Sequence, residues 1–536
     1  MYGGLMGSLG RFTLVTLAAC TLVNAAPWLR LSNTAVVPAP VAVGVNVPSA
    51  TVQVINIGDG SLSLSVSVAP GADWLSASTA PSGPIVFNFQ TASLSRRTYT
   101  AHVTVSDPNA IDSPQSITVT VQIGASPASV DHYMAPGSFW QTQLSPLGPP
   151  FTTEGGPWVA VVLYGTGTLQ MYKTWWIQLS PPRTMPEGTY TGSVTAGSDN
   201  IPVTMRLTTQ PIAVPSVTPI NLRLAQGGPP MTAPFLAPIT FTNSGLGTLA
   251  VSGATAAGPG LIATLADGQI LLGVEPGTLP AGTYNDSVTV QCNAANCPLQ
   301  IPVNLQTVPP GPPTIAYQNV IDNSTFLPGL DIAAGDVALV RGEQLSVQPP
   351  AFAQAAPLPT LLGGSRVLVN GVPAPLFYSS AGQIAFLVPT AATLGVALVR
   401  VERDGHAGNT VSVNLVKRFP RIVAVTDSAY RIVDIHNPAK PGDTIILWGI
   451  GMGPTNPVVP DGAPAPVNPP ALLAQPPTAL FYGAGFVTPA FAGLSPGAVG
   501  LYQVNVQIPA ETPKGNAEVI LEFGSIYSNT AFFNIQ

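Results

Sequence analysis

Glu187-Gly188-Thr189-Tyr190-Thr191-Gly192-Ser193-Val194 decides the reading of this chain, because the same phrase stands on either side of it. Arg97-Thr98-Tyr99-Thr100-Ala101-His102-Val103-Thr104-Val105 precedes it, and Ala281-Gly282-Thr283-Tyr284-Asn285-Asp286-Ser287-Val288 follows it, each about 90 residues away. Each phrase runs through a turn into an alternating apolar segment: Ile117–Ile123, Ile201–Leu207 and Leu299–Leu305. Alternation with period two marks a half-buried strand. Each phrase therefore reads as a turn entering a β-hairpin, with the tyrosine ring packed on a core. A repeat of that length matches one immunoglobulin-like sandwich of about 100 residues.

Composition supports an all-β chain. At 536 residues it is too long for one hydrophobic core. Only 8% of residues are charged, against about 25% in ordinary soluble domains. Gly (53) and Pro (59) are abundant, yet 46% of residues are apolar and the net charge is −6, which excludes a disordered chain. The 18 basic residues are spread thinly, so no electrostatic footprint for nucleic acid exists.

A second duplication fills the C-terminal part. Gly335-Asp336-Val337-Ala338-Leu339-Val340-Arg341-Gly342 is echoed by Gly442-Asp443-Thr444-Ile445-Ile446-Leu447-Trp448-Gly449. Gln383-Ile384-Ala385-Phe386-Leu387-Val388-Pro389 returns about 120 residues later as Gln503-Val504-Asn505-Val506-Gln507-Ile508-Pro509, and Asn409-Thr410 as Asn529-Thr530. The expected fold class is thus all-β, a tandem array of about five immunoglobulin-like β-sandwich domains. They are expected at 27–124, 125–210 (aromatic-rich), 211–307, 314–417 and 418–536, with a Pro-rich linker at 308–313.

Two resemblances follow from these phrases. Ala72-Asp73-Trp74-Leu75-Ser76 followed by the tyrosine hairpin resembles the BACON family of bacterial immunoglobulin-like sandwiches, over 28–124, more weakly over 211–307, and in 125–210 only at the Tyr190 hairpin. That resemblance implies, loosely, carbohydrate binding. Residues 314–536 resemble an uncharacterised C-terminal domain family of Solibacter-like acidobacteria, with an IPT/TIG-like sandwich fold. The phrases are Val369-Asn370-Gly371-Val372-Pro373-Ala374-Pro375-Leu376-Phe377-Tyr378, Gly382-Gln383-Ile384, and Ala492-Gly493-Leu494-Ser495-Pro496-Gly497 running into Gly500-Leu501-Tyr502-Gln503-Val504-Asn505. Ile321-Asp322-Asn323-Ser324-Thr325-Phe326 departs from that family's pattern, which implies a remodelled loop.

Residues 1–26 read as an export signal: Arg11 precedes the apolar run Phe12–Val23, and Val23-Asn24-Ala25 fits cleavage before Ala26. Leu17-Ala18-Ala19-Cys20 also fits a lipobox in which Cys20 is lipidated, and retention of the segment is a third outcome. No later run is long enough for a membrane-spanning helix. The remaining cysteines, Cys292 and Cys297, flank a four-residue turn between two strand-like runs, so a disulfide is expected in an oxidising compartment. A metal site lacks further ligands at suitable spacing, and no cofactor is implied.

Candidate chemistry is sparse. Gly493-Leu494-Ser495-Pro496-Gly497 satisfies the nucleophile-elbow pattern, but a strand rather than a helix follows, Pro496 removes an oxyanion donor and no histidine comes after Ser495. Carboxylates such as Asp59, Asp107, Asp404 and Asp461 sit before Gly or Pro and read as turn formers. Four of the seven tryptophans (Trp140, Trp158, Trp175, Trp176) cluster with Tyr133, Phe139, Phe151, Tyr164 and Tyr172. Flat aromatic faces stack on sugar rings, and an aromatic core is the competing reading; on a strand, Trp175 and Trp176 point to opposite faces. The expectation is an exported, non-catalytic adhesion or glycan-binding protein, with sandwiches as spacers and a polysaccharide or surface protein as partner. Envelope attachment through the C-terminal pair is the alternative, and a glycan-directed enzyme a more remote one.

Overall fold

The computed structural model describes residues 26–80, 83–145, 151–164, 174–231, 236, 238–275, 277 and 279–536. Cys20, the signal segment and Tyr172 lie outside the described residues. Among those described there is no α-helix; the chain is a succession of short strands. Five large hydrophobic cores follow one another, running Leu29 to Ile123, Ala125 to Leu207, Ile220 to Leu305, Ile315 to Leu415 and Ile422 to Ile535. Each core lies between sheets, and the fold is a tandem of immunoglobulin-like sandwiches, numbered here first to fifth.

One connection is common to all five. A strand or bridge near the start of each sandwich lies parallel to its closing strand: Ala35–Val36 beside Thr118–Val119, Val130–Met134 beside Val203–Leu207, and Ile220–Ala225 beside Val303–Val308. Ile332–Ala333 pairs in the same way with Leu415–Val416, and Ala439 bridges Ile535. This parallel pairing covers an edge of the closing strand that would otherwise expose unpaired backbone groups.

The tyrosine phrases form the penultimate strand of the first three sandwiches. Tyr99, Tyr190 and Tyr284 face Val121, Met205 and Leu305 across antiparallel hairpins. Each phenol also donates to a carbonyl four residues upstream: Tyr99 to Ser95 at 3.0 Å, Tyr190 to Pro186 at 2.9 Å and Tyr284 to Pro280 at 2.9 Å. These are tyrosine corners, which fix the loop entering the strand. Replacing Tyr284 by Phe should keep the ring packing and lose this bond, costing about 1 kcal/mol in chemical denaturation. An unchanged midpoint would show the corner to be idle.

The C-terminal echo has a different cause. Asn409 Oδ1 accepts from Ile315 N at 2.7 Å while its Nδ2 donates to Ile315 O at 2.9 Å. Asn529 repeats both bonds with Ile422, at 2.7 and 3.0 Å. The amide thus replaces a missing ladder partner for the opening strand. In the departing loop, the buried Asp322 carboxylate accepts from the backbone N–H groups of Ser324 and Thr325, at 2.9 Å each, and from both their hydroxyls.

The sandwiches do not follow one another as a simple string, because the first folds back onto the fourth. Asp112 N donates to Thr410 O at 3.0 Å, and the carboxylate accepts from Ser412 N at 2.7 Å and Ser412 Oγ at 2.8 Å. Arg30 pairs with the same carboxylate at 2.9 Å and donates to the Tyr317 hydroxyl at 2.9 Å. Asn409 Nδ2 spends its second proton on Ser113 O, 3.1 Å away. Asp112 is 1% exposed and holds a left-handed backbone, φ 59°, a conformation that Asp tolerates better than most residues. The Pro-rich connection is tied down as well: Gly311 N donates to Gln344 Oε1 at 2.7 Å and Arg403 Nη2 to Gly311 O at 2.9 Å.

Candidate functional site

The aromatic cluster belongs to the second sandwich, whose three-stranded sheet places Thr174–Leu179 between Trp140–Leu144 and Val159–Tyr164. Along the central strand, Ile177 and Leu179 are fully buried, and Trp175, two residues before Ile177, packs on the same core. Trp176 therefore lies on the other face, by the alternation of the pleat. Cross-strand pairing surrounds it with Gln143 on one side and Val162 on the other. Gln178, two residues on, shares this face and donates to Gln141 Oε1 at 3.3 Å. The outer face of the sheet thus carries one half-buried indole beside carboxamides.

The other three tryptophans, Trp140, Trp158 and Trp175, do not join it; they pack in or against the core, as the competing reading of the cluster has it. Trp158 is 3% exposed, with its indole N–H donated to Gly155 O at 2.8 Å and its ring 6.4 Å from that of Tyr190. Trp175 leans on Phe151, with ring centroids 4.3 Å apart. Trp140 stacks on His132 at 4.2 Å and packs against the same core. Burial pushes the His132 pKa down, with Asp131 acting weakly in the opposite direction, so that imidazole is neutral at pH 7. Three of the four indoles thus pack in or against the aliphatic core of this sandwich, where their large area is buried.

Cys292 and Cys297 are joined as a disulfide at the mouth of the Gly282–Cys292 and Leu299–Val308 hairpin, with Cα atoms 5.7 Å apart. Ser495 lies in a strand–turn–strand hairpin between Phe491–Leu494 and Tyr502–Gln507. It is 8% exposed, and its hydroxyl donates to Gln503 Oε1 at 3.3 Å. A nucleophile elbow requires an exposed hydroxyl above a helix N-terminus, and Ser495 has neither. Asp107 does what its turn position implies, accepting from Asn109 N at 2.9 Å, and also reaches Ser63 N at 2.6 Å. Among the described residues no three His, Cys, Asp or Glu side chains gather as a metal site. No helix among them is long and apolar enough to cross a membrane.

No protein-family model matches the chain, and no curated protein does. Solved structures match with low superposition scores. The immunoglobulin domains of Sidekick-1 are 11% identical, covering 95% of this chain and 99% of theirs, with a TM-score of 0.19. An I-band fragment of titin is 8% identical, covering 54% and 99%, with a TM-score of 0.16. An endo-fucoidan hydrolase of glycoside hydrolase family 107 is 12% identical, covering 53% of this chain and 45% of that one, with a TM-score of 0.17. The chain thus spans under half the length of that hydrolase. Scores this low carry no argument about arrangement, ligand or activity. The class is defined by the strand topology itself: an all-β chain of tandem immunoglobulin-like sandwiches.

Proposed function

We propose that this is an exported, non-catalytic binding protein that engages a surface polysaccharide through the outer face of its second sandwich. The observation that carries the reading is Trp176 at the centre of a sheet face, with Gln143 beside it and Gln178 two residues along. An indole face covers the apolar C–H side of a sugar ring, and carboxamides both donate to and accept from its hydroxyls. Such a surface needs no net charge, in keeping with a chain in which charged residues are rare. The BACON-like phrases of the first and third sandwiches and the export signal support the same reading, as does the lipobox at Cys20 if the chain is held at the envelope.

Trp176→Ala is expected to abolish retention on insoluble polysaccharides, or signal on a glycan array, while leaving the thermal midpoint within a degree or two. Trp158→Ala should instead unfold the second sandwich, since removing a buried Trp costs about 3–5 kcal/mol. Equal retention by the unaltered chain and by Trp176→Ala rejects the site. Absence of any polysaccharide binding rejects the function.

A further inference from the structure

The two C-terminal sandwiches enclose a cavity of about 300 Å³ that plays no part in the proposed polysaccharide binding. Leu387 and Leu394 of the fourth sandwich form one wall; Val458, Leu494, Val499 and Tyr502 of the fifth form the other. The phrase Ala492–Gly497 running into Gly500–Asn505, which marks the fifth sandwich in the sequence, thus supplies Leu494, Gly500 and Tyr502 to the lining. Tyr502 contributes its ring as an apolar surface, because its hydroxyl is committed to Gly453 O at 2.5 Å.

The walls are fixed rather than hinged. Leu358 N donates to Gly462 O at 2.9 Å across the junction, and Thr390 N donates to both carboxylate oxygens of Asp461, at 3.2 and 3.0 Å. Gly500 (φ 68°) lets the two sandwiches approach closely: a Cβ there would stand 2.7 Å from Leu387 and 3.0 Å from Val337. The mouth is apolar too, since Leu394 is 50% and Val458 77% exposed. Pre-formed apolar pockets at domain junctions, with a few polar groups at the rim, are where small ligands bind. Fixed walls spare the ordering cost of binding.

Charge at the rim selects the head of the ligand. Asp461 is occupied by the Thr390 amide, whereas Lys417, also at the cavity, takes part in no ion pair among the described residues. We propose that this cavity binds a free medium-chain aliphatic carboxylate, its chain between the sandwiches and its head on Lys417.

Calorimetric titration of the full chain with decanoate and with decanol tests this. Saturable uptake of decanoate is expected. Lys417→Gln should weaken decanoate about fivefold, the effect of one exposed ion pair, and leave decanol unchanged. Ala463→Phe, which fills the cavity, should remove uptake of both. Val458→Asp, at an exposed rim position that cannot disturb a core, should weaken both if the filled variant fails to fold. No saturable uptake by the unaltered chain overturns the proposal, as does uptake undiminished by Ala463→Phe or Val458→Asp. Decanoate binding that ignores Lys417→Gln overturns the carboxylate head.

Discussion

Asp112→Ala is expected to release the first sandwich from the fourth, because most cross-contacts of the clasp meet at that residue or depend on the arginine it holds. The substitution deletes the acceptor of Ser412 N and Ser412 Oγ and leaves Arg30 without its counter-ion. It also puts alanine into a left-handed backbone at φ 59°, which Asp tolerates better. Removing one partner from a buried ion pair costs about 3–5 kcal/mol. Arg30 keeps 30% of its side chain exposed and regains hydration, so a loss of roughly 2–3 kcal/mol is the reasonable expectation. An interface between domains this polar has little else to hold it. Small-angle scattering should show a larger radius of gyration, and hydrogen exchange at Thr410 and Ser412 should speed up. Scattering curves that superimpose, with unchanged exchange, would mean that the clasp does not govern the arrangement. Asp112→Asn, which keeps an acceptor oxygen but loses the charge, should fall between the two.

This clasp also marks the limit of what was legible in the sequence. The hairpins were legible because Tyr99, Tyr190 and Tyr284 sit at fixed places in local phrases, and local alternation reports burial directly. The parallel pairing of an early strand with the closing one was not, since Asp131 and Thr204 or Asn221 and Asn304 are partners that share no local pattern. Asp112 was missed for the same reason: its partners lie some 300 residues away, and nothing around it departs from an ordinary turn. The echo of Asn409 in Asn529 was visible as a repeat, but its meaning as a strand partner required the fold. At the candidate site, period-two alternation separated Trp175 from Trp176 without saying which faces the core. Composition alone could not tell core aromatics from surface ones, and Trp140, Trp158 and Trp175 proved to be packing.

The repeated Gly-Asp phrase shows how one sequence signal takes two environments. Asp443 lies at a turn and accepts from Lys440 N at 2.8 Å. Asp336 fills the corresponding place in the fourth sandwich, where it is fully buried. Its Oδ1 accepts from Val337 N at 2.8 Å, while Oδ2 is buried without a partner among the described residues. A Cβ on Gly451 of the fifth sandwich would stand 3.1 Å from that oxygen. Burial pushes the Asp336 pKa well above the usual carboxylate range and the nearby Asp322 charge adds to this; its own backbone contacts and, more weakly, Arg421 pull it back.

A carboxyl whose folded pKa is raised binds its proton more tightly when folded. Its stabilising effect is therefore complete below the unfolded value, near 3.8, and is lost as pH rises through the window up to the folded pKa. The junction between the fourth and fifth sandwiches should accordingly weaken from acid toward neutral pH, against the trend set by ordinary ion pairs. Asp336→Asn keeps the shape and removes the titration. It is expected to raise the thermal midpoint at pH 7, to leave it nearly unchanged near pH 4, and to flatten the slope between them. A buried polar atom left unsatisfied costs about 1–3 kcal/mol, more when charged, so the gain at pH 7 should be several degrees in a unit of this size. Calorimetric scans of both proteins at the two pH values decide the matter: a variant destabilised equally at both would show that Asp336 holds the junction as a carboxylate, with a partner that its geometry does not reveal.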